Sequence, residues 1–150
     1  FMKLLIFIII NLFSYSSISE EFIKPNADLS PKDVVEIQML GLQSSLNNEN
    51  IGIEQVWIFA HPDNKKATGP LERFKLLFKN PLYQPLIGNQ QFNIDILNET
   101  KDKVDLLVSV TAIDDNIYEY IWTLKKFSTD GDVGVWMTSA VSSPKIKKKS

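Results

Sequence analysis

The spacing of hydrophobic positions changes once along this chain, near Gln90. Before that point it is helical. Val35, Met39, Leu42 and Leu46 recur on one stripe, flanked by Val34 and Ile37. Ser30 has the chemistry of an N-cap, Pro31 suits the first helical position, and Asp33 sits three residues after the cap. A first helix is therefore predicted from Ser30 to about Leu46, ended by Asn47-Asn48-Glu49-Asn50. A second, from about Gly52 to Ala60, carries Ile53, Val56, Trp57 and Ala60 on one side. It stops before Pro62, whose ring disfavours helical geometry in the preceding residue. The stretch from His61 to Gly69 reads as a polar loop. Pro70 opens a third helix with Leu71, Phe74, Leu77 and Phe78, and Asn80-Pro81 ends it. Leu82 to Leu86 reads as an extended, proline-pinned segment.

From Gln90 onward the period is two. Phe92, Ile94 and Ile96 form one alternating set; Val104, Leu106, Val108, Val110 and Ala112 form the next. Tyr118, Tyr120, Trp122 and Leu124 make a third, and Val133, Val135, Met137 and Ser139 a fourth. The links at Glu99–Asp102, Asp114–Asn116 and Asp130-Gly131 are short and turn-like. The pattern predicts an α+β domain: three N-terminal helices covering one face of a curved four-stranded antiparallel sheet.

The N-terminus carries a different signal. Lys3 precedes ten apolar-rich residues, Leu4 to Phe13, and then the small polar run Ser14 to Ser19. This is the pattern of a secretory signal peptide, with a cut expected before Glu20. The apolar run is about half the ~20 residues that a spanning helix needs. The expected organisation is a signal peptide at 1–19, a flexible leader at 20–29, an α+β domain at 30–143 and a basic disordered tail at 144–150. It implies an exported protein, with no stable membrane insertion after cleavage. Residues 20–144 hold 11 basic and 18 acidic side chains, a net charge of −7. A body this acidic repels phosphate backbones, so nucleic-acid binding is not expected. The chain has no cysteine and one histidine, so disulfides, thiolate chemistry and multi-histidine metal sites are excluded. No cofactor motif is present: there is no glycine-rich phosphate loop and no nucleophile elbow.

Several short motifs resemble a known family. They are Gln38 in the first helix, Phe59-Ala60-x-Pro62 ending the second, and Gly69-Pro70-x-x-Arg73-Phe74 opening the third. Tyr83-x-Pro85 and Trp136 complete the set. Across Ser30 to Val141 the chain resembles the nuclear-transport-factor-2-like superfamily, and within it the uncharacterised family domain of unknown function 4864. The resemblance implies a cone-like α+β fold and no particular activity. It also implies a small residue where this chain has His61, which argues against an inherited catalytic histidine.

A cone closed by three helices has a mouth. Trp57, Tyr83, Tyr120 and Trp122 are the candidates to line an aromatic pocket there for a small, largely apolar ligand; an aromatic core without a ligand is the competing reading. Leu97, Leu107, Ile121 and Phe127 lie off the main apolar phase. They are the candidates for a homodimer interface through the sheet. His61 is the obvious general base by residue type, and equally a helix-end histidine. Asp105 and Glu119 could meet across paired strands and shift one another's pKa. Asp114-Asp115 could bind a metal with Glu119, but a turn in which acids cap their own backbone is favoured, and no metal site is expected. Arg73, the one arginine, could be a buried fork for a carboxylate or lie on the surface. Asn98-Glu99-Thr100 is an N-glycosylation sequon. These features favour an exported, non-catalytic binding or interaction module. The alternative is a small cone-fold enzyme, of isomerase, cyclase or hydratase type, using one acid–base residue in an apolar cavity.

Overall fold

A computed structural model describes residues 21–47, 49–129 and 133–148. The expected signal peptide and the Asp130-Gly131 turn lie outside the described residues. Within them the chain is α+β: four helices and a 3₁₀ turn precede an antiparallel sheet of five strands.

Helix α1 spans Pro31–Ser44. Its start is the predicted one: Ser30 Oγ accepts from the Asp33 N–H (3.1 Å), and Asp33 Oδ2 accepts from the Ser30 N–H (2.8 Å). Val34, Val35, Met39 and Leu42 are buried, whereas Leu46 lies past the helix end and is exposed. Helix α2 spans Glu49–Ile58 and crosses α1 where two glycines meet. A Cβ at Gly52 would overlap the Gly41 carbonyl oxygen and Ser45 Oγ, so only glycine permits this approach.

The predicted polar loop after α2 instead holds α3, Pro62–Thr68. None of its residues is buried, so it offers no apolar stripe for sequence periodicity to reveal. Its ends hold it: Pro62 sits at the start, and His61 Nδ1 accepts from the Asp63 N–H (3.1 Å). Helix α4 spans Leu71–Leu77, with Phe74 and the following Phe78 turned into the core. The segment expected to be extended, Leu82 to Leu86, instead holds a 3₁₀ turn over Gln84–Leu86.

The strands are β1 Gln91–Glu99, β2 Lys103–Thr111, β3 Ile117–Phe127, β4 Val135–Val141 and β5 Lys145–Lys147. They run in the order β1-β2-β3-β4, and β5 pairs with β3 beyond the end of β4. The fourth rank of the meander is thus split between two strands. The basic tail expected from 144 contributes β5, held by backbone pairing to Ile117–Glu119 and by the Lys147–Glu119 ion pair. The inward set of β2 is the predicted one, with Val104, Leu106, Val108 and Val110 all buried. That of β4 is not. Leu124 pairs with Thr138 and Thr123 with Ala140, which leaves Ser139 as an extra residue in a bulge. Thr138, buried, takes the inward position expected of its neighbours.

Two further ties position the site. The Thr138 N–H donates to the Phe59 carbonyl and the His61 N–H donates to the Thr138 carbonyl, both at 2.8 Å. The α2–α3 connection therefore covers part of the β4 edge. The expected flexible leader is fastened to α2, because the Gln55 amide exchanges two hydrogen bonds with the Ile23 backbone (2.9 and 2.8 Å). Among the described residues no helix is long and apolar enough to cross a membrane.

Candidate functional site

The helical layer and the sheet do not fill the space between them. A cavity of about 160 Å³ lies where α1, α2, α3 and α4 face β3 and β4. Its apolar wall is Val56, Phe74, Leu77, Phe78, Leu86 and Val141. Its polar part consists of Gln38, Asn64, Thr68, Tyr83 and Thr138, with the Trp122 indole.

Gln38 organises the floor. It is fully buried, and its Oε1 accepts from Trp122 Nε1 (2.9 Å) and from Thr138 Oγ1 (2.7 Å). An indole N–H can only donate, so it must meet the amide oxygen, and this fixes the orientation of the amide group. Gln38 Nε2 then donates to the Val56 carbonyl (3.2 Å). One side chain ties α1, α2, β3 and β4 together beside the cavity. A polar residue on the stripe that contains Val34 and Leu42 was the available signal for this role, and sequence reasoning assigned it none.

The rim is tied as firmly. The Tyr83 hydroxyl donates to the Val141 carbonyl (3.2 Å). The Asn64 amide donates to the Thr138 carbonyl (3.2 Å), and the Thr68 hydroxyl donates to the Asn64 carbonyl (2.8 Å). Helix α3, unforeseen from the sequence, thus supplies two of the polar lining residues.

The four predicted pocket aromatics separate into two pairs. Tyr83 and Trp122 line the cavity. Tyr120 stands behind Tyr83, ring stacked on ring at 6.3 Å, and donates its hydroxyl to the Leu82 carbonyl (2.7 Å). Burial, reinforced by the neighbouring Tyr118 and Tyr83, pushes the Tyr120 phenol far above its usual range, so it remains a neutral donor. Trp57 packs against Phe74 at 5.0 Å and has the Lys65 ammonium over its ring at 5.5 Å. The same burial lowers the Lys65 pKa.

The three acid–base candidates are dispersed, and none lines the cavity. His61 is an N-cap, its Nδ1 engaged by the Asp63 backbone and its ring edge-on to Phe127 at 5.7 Å. It starts α3 rather than ending α2. Asp105 and Glu119 do not meet: Asp105 pairs with Thr123 and Glu119 with Ser109, four positions apart along β3. Asp105 accepts from the Thr123 hydroxyl (2.7 Å), and Glu119 is ion-paired with Lys147. Among the described residues the cavity lining contains no carboxylate, imidazole or ammonium.

Asp114 and Asp115 form a turn. Asp114 accepts from the Tyr118 hydroxyl (2.7 Å) and the Asn116 backbone (3.0 Å), which lowers its carboxyl pKa. Asp115 has φ +66° and accepts from the Gln90 amide (2.8 Å). Among the described residues no cluster of histidine and carboxylates could hold a metal. Arg73 is exposed on α4, so it is not a buried carboxylate fork.

On the outer face of the sheet, Leu107 stands directly opposite Ile121. Ile121 is 42% exposed, and Leu97, at an irregularity in β1, is 53% exposed. Leu107 and Phe127 are half-buried. No family model matches the chain, and no curated protein and no solved structure matches it.

Proposed function

We propose that this chain is an exported, non-catalytic binding module of cone-like, nuclear-transport-factor-2-like architecture, whose cavity takes a small, largely apolar molecule. The observation that carries the reading is the cavity itself: about 160 Å³, walled mainly by aliphatic and aromatic side chains, with a few polar groups among them. Space of this kind resists collapse when its walls are anchored independently. Here Gln38, Tyr83 and Thr138 hold the walls by hydrogen bonds to three different elements. A dry apolar cavity of about 150 Å³ is large enough for benzene or xenon. The order of a helical layer followed by an antiparallel meander supports the cone-like assignment.

Benzene is the direct probe. Titrated into the protein, it is expected to shift the methyl resonances of Val56, Leu77, Leu86 and Val141 and to leave those of β1 unmoved. In Val56→Phe and, separately, Leu77→Phe, the added volume occupies the cavity and the shifts disappear while the rest of the spectrum is retained. Unmoved methyls at saturating benzene reject the reading.

Export and self-association belong to the same proposal. The motivation for export is the n-region and apolar run of residues 1–13, and a native protein retaining Lys3 in its mature form refutes it. Pairing of two copies through the outer face is motivated by exposed Leu97 and Ile121. Light scattering tests it: a dimer that Ile121→Lys converts to monomer supports it, and a monomeric wild-type chain refutes it.

A further inference from the structure

We infer that Asn98 is a site of N-linked glycosylation, with a lipid-linked oligosaccharide as the sugar donor, and that the glycan covers the exposed edge of β1. The inference rests on the proposed export and goes beyond it by assigning a modification site.

Asn98-Glu99-Thr100 is the only Asn-x-Ser/Thr run in the chain, and its middle residue is not proline. The fold leaves all three residues exposed, at the end of β1 and the start of the link to β2. Among the described residues the Asn98 side-chain amide has no hydrogen-bond partner, so a sugar on its nitrogen disrupts no contact. The Thr100 hydroxyl does have a structural task. It accepts from the Lys103 N–H and donates to the Lys103 carbonyl, both at 3.1 Å, and so shapes the turn. Transfer forms a bond from Asn98 Nδ2 to the anomeric carbon of the first sugar. The bond from that carbon to the donor's diphosphate oxygen breaks, the lipid diphosphate leaves with the electron pair, and the amide gives up one proton.

The surroundings of Asn98 give a glycan something to cover. Among the described residues β1 pairs only with β2, so it is an edge strand. An edge strand that carries apolar side chains invites pairing with other chains. Beside the sequon, Ile96 and Leu97 are both exposed. Leu97 is the residue left over where the register slips between Ile96 and Asn98. A hydrated glycan on Asn98 screens both. Asn98 also stands opposite Asp105, two residues along β2 from Leu107, so it shares the outer face with the Leu107–Ile121 pair. A glycan there stands in the path of a second copy, and pairing across that face is open to the unmodified chain.

The test is production of the full chain in a eukaryotic cell, once with its own N-terminus and once behind a cleavable secretory leader, followed by mass spectrometry. The secreted chain is expected to carry one glycan, which peptide-N-glycosidase removes while converting the acceptor to aspartate. Asn98→Gln abolishes the modification, and Thr100→Ser, which keeps the hydroxyl, retains it. Removing the glycan from the folded chain is expected to raise the fluorescence of an apolar dye by about twofold or more, and unchanged fluorescence overturns the covering role. A secreted chain with Asn98 unmodified overturns the inference, as does a glycan that persists in Asn98→Gln. A chain that stays in the cytosol with its own N-terminus, but is glycosylated behind the leader, overturns export and leaves the site standing.

Discussion

The Trp122 indole N–H donates to Gln38 Oε1 at 2.9 Å, joining β3 to α1 across 84 residues of sequence. Both side chains are buried, and both border the cavity. The bond therefore contributes to the fold and to the shape of the site. Its energetic weight comes from what removing the Gln38 amide would strand: a buried indole donor and a buried threonine hydroxyl.

Gln38→Met keeps the length of the side chain and removes its hydrogen bonding. It is expected to cost about 3 kcal/mol, from both buried groups losing their partner at once. Urea unfolding measures this. A midpoint equal to that of the wild-type chain would contradict the role given to Gln38.

The α1–α2 crossing makes a steric prediction. Gly52→Ala places a methyl group into the Gly41 carbonyl and Ser45 Oγ, so the helices must separate. The expected loss is about 2 kcal/mol, typical of overpacking a tight contact. Thermal or urea unfolding tests it, and an unchanged stability would show that the helices part freely.

His61 is expected to behave as a cap. His61→Ala should cost about 1 kcal/mol, the usual weight of a lost N-cap, and His61→Asn should recover more than half of it. Asparagine offers an oxygen to the Asp63 N–H but cannot serve as a general base. Equal losses in the two variants, measured by urea unfolding, would argue against capping.

The α1 capping box sets an acid dependence. The Ser30 side chain and then its backbone hold the Asp33 carboxyl below its ordinary pKa. A depressed folded value means that this contribution is fully present above the unfolded value, near 3.9, and is lost as pH falls through the folded value. Asp33→Asn should therefore flatten the fall in stability below about pH 4. An acid limb as steep as that of the wild-type chain would refute it.

What could be read from the sequence follows from what each element buries. In β2 every second residue is fully buried, so alternation reveals both the strand and its inward face. The Ser30 cap is local chemistry and is equally visible. Helix α3 buries nothing, and β5 is exposed throughout, so neither carries a periodic signal. In β4 the bulge at Ser139 shifts the phase by one residue, and a strict period of two then selects the wrong face. The site was partly readable: Tyr83 and Trp122 are where aromatics were expected. Asp105 and Glu119 were misplaced because register, not residue type, decides which carboxylates face each other. The cavity was not readable at all. Vacant space depends on how Val56, Phe74, Leu86 and Val141 fail to meet, and spacing along the chain does not encode that.

The claim that the cavity is a binding site is tested most directly by a crystal of the protein pressurised with xenon. The account predicts one strong anomalous peak among Val56, Phe74, Leu86 and Trp122, with the Gln38–Trp122 hydrogen bond intact beside it. Crystals showing no xenon there, with those side chains packed against one another, would contradict it.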